Sequence, residues 1–128
     1  MQTLRLAALV FGLAIVLLAG CSSDPVKSAL NVNDVAADPA AYSGTITVSG
    51  ITKGFARADA TVFGIMDLKE KQCNSPNCSM PMLPVRFAGQ RPVLNAEVLA
   101  TGRLVKGEGG YLFDASDVKV VRVHQIGG

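Results

Sequence analysis

Between Thr45 and Val123 the chain has several segments in which apolar and polar positions alternate with a period of two. Ile46 and Val48 alternate with Thr45, Thr47 and Ser49, and Phe63, Ile65 and Asp67 alternate with Val62, Gly64 and Met66. Leu83, Val85 and Phe87 share one face with Arg86 on the other, and Val98, Ala100, Gly102 and Leu104 alternate with Glu97, Thr101 and Arg103. After the turn Lys106-Gly107-Glu108-Gly109-Gly110, Tyr111, Phe113 and Ala115 alternate with Asp114 and Ser116, and the strand runs on to about Val123. A period of two sends successive side chains to opposite faces of an extended chain, so these segments predict five strands. Gly50 is the expected site of a bulge. Ahead of the strands, Asn33 is placed to cap a short helical turn. Asp38-Pro39 followed by Gly44 predicts a second one, with Asp38 as cap, Pro39 at the first helical position and Gly44 as the stop.

Five short strands with a non-strand insert over residues 88–95 predict an all-β fold, a small five-stranded barrel of the oligonucleotide/oligosaccharide-binding (OB-like) kind over residues 31–128. Closure of the barrel would also remove exposed strand edges. An open sandwich or partial barrel is the competing arrangement.

The apolar run Leu6–Leu18 follows a different pattern. It is continuous, preceded by Arg5, and shorter than the roughly 20 residues a helix needs to cross a bilayer core. It has the form of a secretory signal, so residues 1–20 are set aside from the fold. The run ends in Leu18-Ala19-Gly20-Cys21, which resembles the lipobox of bacterial lipoproteins. That resemblance implies cleavage before Cys21 and lipidation of its thiol, with residues 21–30 as the lipidated cysteine and polar tether. The thiol would carry a diacylglycerol and the new amine a further acyl chain, and more than one chain is what stable anchoring requires. It also implies a membrane-anchored protein facing the periplasm. Ser22, where Asp would favour inner-membrane retention, points to the outer membrane if the source is Gram-negative.

Removing the signal takes away one of the 12 bases and none of the 10 acids, leaving a near-neutral domain. Near-neutral charge, no basic run and no Trp for base stacking argue against a nucleic-acid partner.

With Cys21 lipidated, two cysteines remain, in Cys73-Asn74-Ser75-Pro76-Asn77-Cys78-Ser79-Met80-Pro81-Met82. Three readings stand side by side. An even pair in an exported protein is a disulfide candidate, Cys73 with Cys78, and Pro76 with two asparagines can turn the chain back. Thiolates and thioethers from Cys73, Cys78, Met80 and Met82 would instead suit copper as Cu(I). A thiol–disulfide redox role is the third, although the spacing is not C-x-x-C.

His124 is the only histidine, near the chain end, where a solvated side chain is expected; a metal or haem ligand is the alternative. No G-x-S-x-G occurs, and one terminal histidine makes a poor triad partner, so no enzyme is predicted. Asp67 with Glu70, and Asp114 with Asp117, read as solvated turn or strand-edge charge.

The second half carries Val62-Phe63-Gly64-Ile65-Met66-Asp67 and then Leu83-Pro84-Val85-Arg86-Phe87-Ala88-Gly89-Gln90-Arg91-Pro92. Glu97–Leu104 and Gly110–Val118 follow in the same order and spacing. Together they resemble the periplasmic haem chaperone of cytochrome c maturation, an OB-fold family. The resemblance implies the fold more than the function. That family binds haem through a histidine after the last strand, with a tyrosine four residues later. Here His124 lies slightly late and Gly128 stands at the fourth position beyond it. The family is also held by an uncleaved transmembrane helix and has no counterpart of the Cys73–Cys78 segment. Small exported OB-fold lipoproteins are a further likeness.

The expectation is therefore a lipid-anchored binding or assembly module of the cell envelope. Its partner would be a protein, a glycan or a small ligand, and no cofactor is required. A copper- or haem-handling protein is the alternative.

Overall fold

The computed structural model describes residues 28–70, 72 and 81–125. The signal segment, Cys21, Cys73, Cys78 and Met80 lie outside the described residues.

Six strands form one sheet: β1 (Leu30–Asn31), β2 (Ile46–Phe55), β3 (Val62–Met66), β4 (Leu83–Arg86), β5 (Ala96–Gly107) and β6 (Gly110–Val123). Their order is β1-β2-β3-β4-β6-β5, and β5 pairs again with β2. The last five strands therefore close into a ring, the small OB-like barrel that the alternation predicts. All pairs in the ring are antiparallel except β4 with β6, which runs parallel through Val85↔Phe113 and Arg86↔Asp114. The two-residue β1 lies parallel to the outer side of β2. Among the described residues no helix is long and apolar enough to cross a membrane.

Strand alternation fills the barrel. Val48, Phe63, Ile65, Val85, Val98, Ala100 and Phe113 are fully or almost fully buried and form one cluster. The helix α1 (Val32–Ala37) adds Val32 and Val35, spaced three apart and so on one helical face. It stops where it does because Asp38 precedes Pro39, and a residue before proline is pushed out of the helical region. Asp38 lies outside the helical region at φ −147° and ψ 73°, and Pro39–Ala41 then forms a 3₁₀ turn with Pro39 at its first position.

Two local expectations are corrected. The residue flanking α1 is Asn31, in extended conformation, while Asn33 sits inside the helix with its side-chain oxygen buried and unpartnered. The bulge in β2 falls between Thr52 and Gly54, and Gly50 serves a different purpose. A Cβ there would lie 2.9 Å from the Met66 carbonyl oxygen and 3.0 Å from a Val32 methyl carbon, so the missing side chain lets α1 approach the barrel.

Two carboxylates are buried, and one of them, Asp67, corrects the expectation of a solvated turn charge. Asp67 is 2% exposed, not solvated. Its Oδ2 accepts from the Asn33 N–H at 3.2 Å and its Oδ1 from the Lys69 N–H at 3.0 Å. It thus caps α1 and the 3₁₀ turn Leu68–Glu70 at once. Glu97 is 5% exposed, and its Oε2 accepts from Arg122 Nε at 2.9 Å. Asn95, at φ +65°, ties the same end of the barrel. Its N–H donates to the Thr52 carbonyl and its side-chain oxygen accepts from Lys53 Nζ at 3.3 Å. Partial burial holds the Lys53 ammonium below the usual lysine range.

Candidate ligand-binding face

Phe63, Ile65, Leu83 and Val85 point inward, so their neighbours Val62, Gly64, Pro84 and Arg86 face outward. The registers Gly54↔Gly64 and Gly64↔Pro84 set three residues in a row across β2, β3 and β4. Two of them have no side chain, and the third has a compact ring. The sheet is therefore thin at this row, and Met82 lies over it. A Cβ on Gly64 would overlap the Met82 sulfur and come within 2.7 Å of its Cγ; one on Gly54 would touch the sulfur at 3.6 Å. Glycine at 64 is what allows the thioether to lie flat on the barrel.

Met82 separates two hollows. One, of about 340 Å³, is floored by Gly54, Val62, Gly64 and Pro84, with Phe55 at its edge. The other, of about 410 Å³, lies between Val35, Ala36 and Pro39 on one side and Gly109 and Tyr111 of the β5–β6 turn on the other. Both are of the size of small-ligand sites. Met82 is 48% exposed, and its unbranched, polarisable side chain lines both hollows.

The rim is polar. The Arg91 guanidinium lies 4.1 Å from the centre of the Phe55 ring, and Arg86 Nε lies 3.4 Å from Asp114 Oδ1. The β2–β3 loop is braced by Asp59, whose Oδ1 accepts from the Thr61 N–H at 2.9 Å and hydroxyl at 2.6 Å. Those bonds hold the Asp59 carboxyl below the usual carboxylate range. The brace is therefore present at neutral pH and lost only as acid protonates the folded chain through that lowered value. Among the described residues, the Tyr111 phenol is the one titratable side chain that lines either hollow. The hollow beside Gly54 and Gly64 is lined mostly by apolar surface, which suits contact with an apolar group.

Of the predicted site residues, Met82 stands on this face. His124 does not. It lies at the opposite end of the β5–β6 hairpin from Gly109 and Tyr111, so the fold keeps it apart from Met82. Nor is it frayed: its backbone N–H donates to the Asn95 carbonyl at 2.9 Å, and its Nε2 lies 3.1 Å from Glu97 Oε2. With a side chain 22% exposed, it could offer Nε2 to a metal or haem only by giving up Glu97. Among the described residues no group of three or more His, Cys, Asp or Glu is placed to hold a metal ion.

The glycine pair under Met82 left only a faint mark in the sequence, a glycine at an outward strand position. Its partner glycine lies ten residues away on another strand, and only the register joins them. Comparison with family models gives no match, and comparison with curated proteins gives none either.

Proposed function

We propose that this protein is a non-catalytic binding module, held by lipid at Cys21 on the periplasmic side of a membrane, which takes an apolar group of its partner at the Met82 face. The observation that carries this reading is the Gly54–Gly64–Pro84 row with the exposed Met82 thioether between two hollows. In five-stranded barrels of this order, ligands commonly use the outer face of the second and third barrel strands and the loops at their rim. Here those strands are β3 and β4, and the β5–β6 turn reaches the same face. The floor is apolar and the rim carries Arg91, Arg86 and Tyr111, which suits an amphipathic small ligand or the apolar side chain of a protein better than a glycan. The lipid anchor rests on the Leu18–Cys21 motif.

The test uses the full chain in cells. A photoreactive residue replacing Met82 is expected to give one discrete adduct, and Gly64→Leu, which fills the floor, is expected to reduce it on the order of tenfold. The same residue placed at Arg103, on an exposed part of β5, is expected to give none. Cys21→Ala should move the chain from the membrane to the soluble fraction and lower the yield of any membrane-bound partner. An adduct indifferent to Gly64→Leu, or none from a chain shown to be membrane-bound, would sink the reading.

A further inference from the structure

The barrel wall is incomplete along β6. Its last bridge to β4 is Arg86↔Asp114, after which the chain leaves β4 and Phe87 donates its N–H to Thr61 instead. β6 continues to Val123 with β5 as its strand partner on one side. Among the described residues no backbone hydrogen bond joins 115–123 to the facing loop. Among the described residues, a strand edge several residues long is therefore without a partner.

Val118 and Val120 pair with Ala100 and Val98, both fully buried, so they sit on the core-facing side of β6. Yet Val120 is 53% exposed, because a hollow of about 330 Å³ separates these valines from Phe87, Pro92 and Val93. Bare backbone groups beside apolar side chains call for an extended strand.

We propose that the occupant is β6 of a second copy of this chain, paired antiparallel about a two-fold axis through Val118. Charge decides for a second copy over an unrelated strand. In that register Asp117 of each copy faces Lys119 of the other, on the side of the ribbon away from the valines. Both residues are exposed, and among the described residues neither has an ion-pair partner. The symmetry uses each complementary pair twice. On the other side Val118 meets its own copy, and Val120 meets Ser116. The stretch Asp117–Val120 pairs with β5 without interruption and is bounded by register shifts on both sides. Those irregularities bend the strand and limit the shared ladder to its middle. Once two edges meet, neither is left open, so assembly stops at two.

The proposed ladder uses residues 116–120, none of which lines the Met82 face, although Tyr111 at the start of β6 does. Its test is sedimentation of the purified full chain in density-matched detergent, over a range of concentrations and salt. A dimer is expected. Asp117→Lys and Lys119→Asp should each weaken it on the order of tenfold or more, because each sets like charges opposite one another twice. The double variant should restore it, since its charges are again complementary. At concentrations dilute enough for the parent to be monomeric, thermal melts of all three variants should match it, both residues being exposed. A chain monomeric at every concentration would overturn the proposal, as would a dimer indifferent to the single reversals. Cross-linking from Val118 to a different protein, with the chain itself monomeric, would assign the edge to a foreign strand and overturn it too.

Discussion

Gly102→Ala is expected to cost the domain about 3 kcal/mol, the largest loss from any single added methyl group in the barrel. Gly102 lies in β5 where its register with β6 shifts, Thr101 facing Asp117 and Gly102 facing Ala115. The shift brings the β6 backbone directly over the glycine. A Cβ would overlap the Asp114 carbonyl oxygen and lie 2.7 Å from the Ala115 Cα. Both obstacles are backbone, so no rotamer change relieves the clash; one strand must move. Phe113 and Asp114 hold the bridge to β4, and that movement would loosen the parallel joint closing the ring. The melting temperature should fall by roughly 12–24 °C, taking ~4–8 °C per kcal/mol for a domain of this size. Gly109→Ala is the control. Nothing lies within 4 Å of its would-be Cβ, and its φ is not in the left-handed region. There the lower entropy of the unfolded chain should make alanine neutral or stabilising by up to about 1 kcal/mol. Denaturant unfolding of the two variants checks the contrast. If Gly102→Ala unfolds like the parent, the β5–β6 register is wrong.

The contrast bears on what the chain declares of itself. The period-two alternation around Phe63, Val85, Val98 and Phe113 marks the strands and their inner faces, because a half-buried strand has to alternate. It says nothing of which edges meet. Gly102 reads as one more small residue on the inner face, and only the register with β6 reveals that it admits a carbonyl. The same holds for Gly64, whose importance depends on a methionine arriving from elsewhere in the sequence. The strand β1 escaped notice because two residues have no period to detect. Glu97 alternates with core residues and so reads as solvent-facing, yet Arg122 and His124 return from 25 or more residues later to cover it. The sequence-predicted sulfur cluster is represented by Met82 among the described residues, on the face that the fold turns into the candidate site.

The burial of Asp67 is legible in the alternation itself. Alternation puts it on the same side as Phe63 and Ile65, and an acid on a core face must be met by donors. It is met by the N–H groups of Asn33 and Lys69, 34 residues apart from it in one case and two in the other. Asp67→Ala removes both acceptors and leaves both donors facing apolar surroundings. With ~1–3 kcal/mol for each orphaned buried group, and partial relaxation of the short 3₁₀ turn, the expected loss is about 2–4 kcal/mol. Asp67→Asn keeps one acceptor oxygen and turns an amide N–H toward the other donor, so it should lose a large part of the same energy despite its matching shape. This pair of variants separates two roles. A carboxylate that is merely tolerated in the interior would be relieved by Asn, and that chain would be as stable as the parent or more so. A carboxylate that caps would show faster amide exchange at Asn33 and Lys69 in both variants, with Ala the worse. The effect should also reach the candidate site. Val35 and Ala36 form one wall of the 410 Å³ hollow, and α1 holds them there only while its first turn is capped. Cross-linking from Met82 should therefore weaken in Asp67→Asn at temperatures where the barrel is still folded.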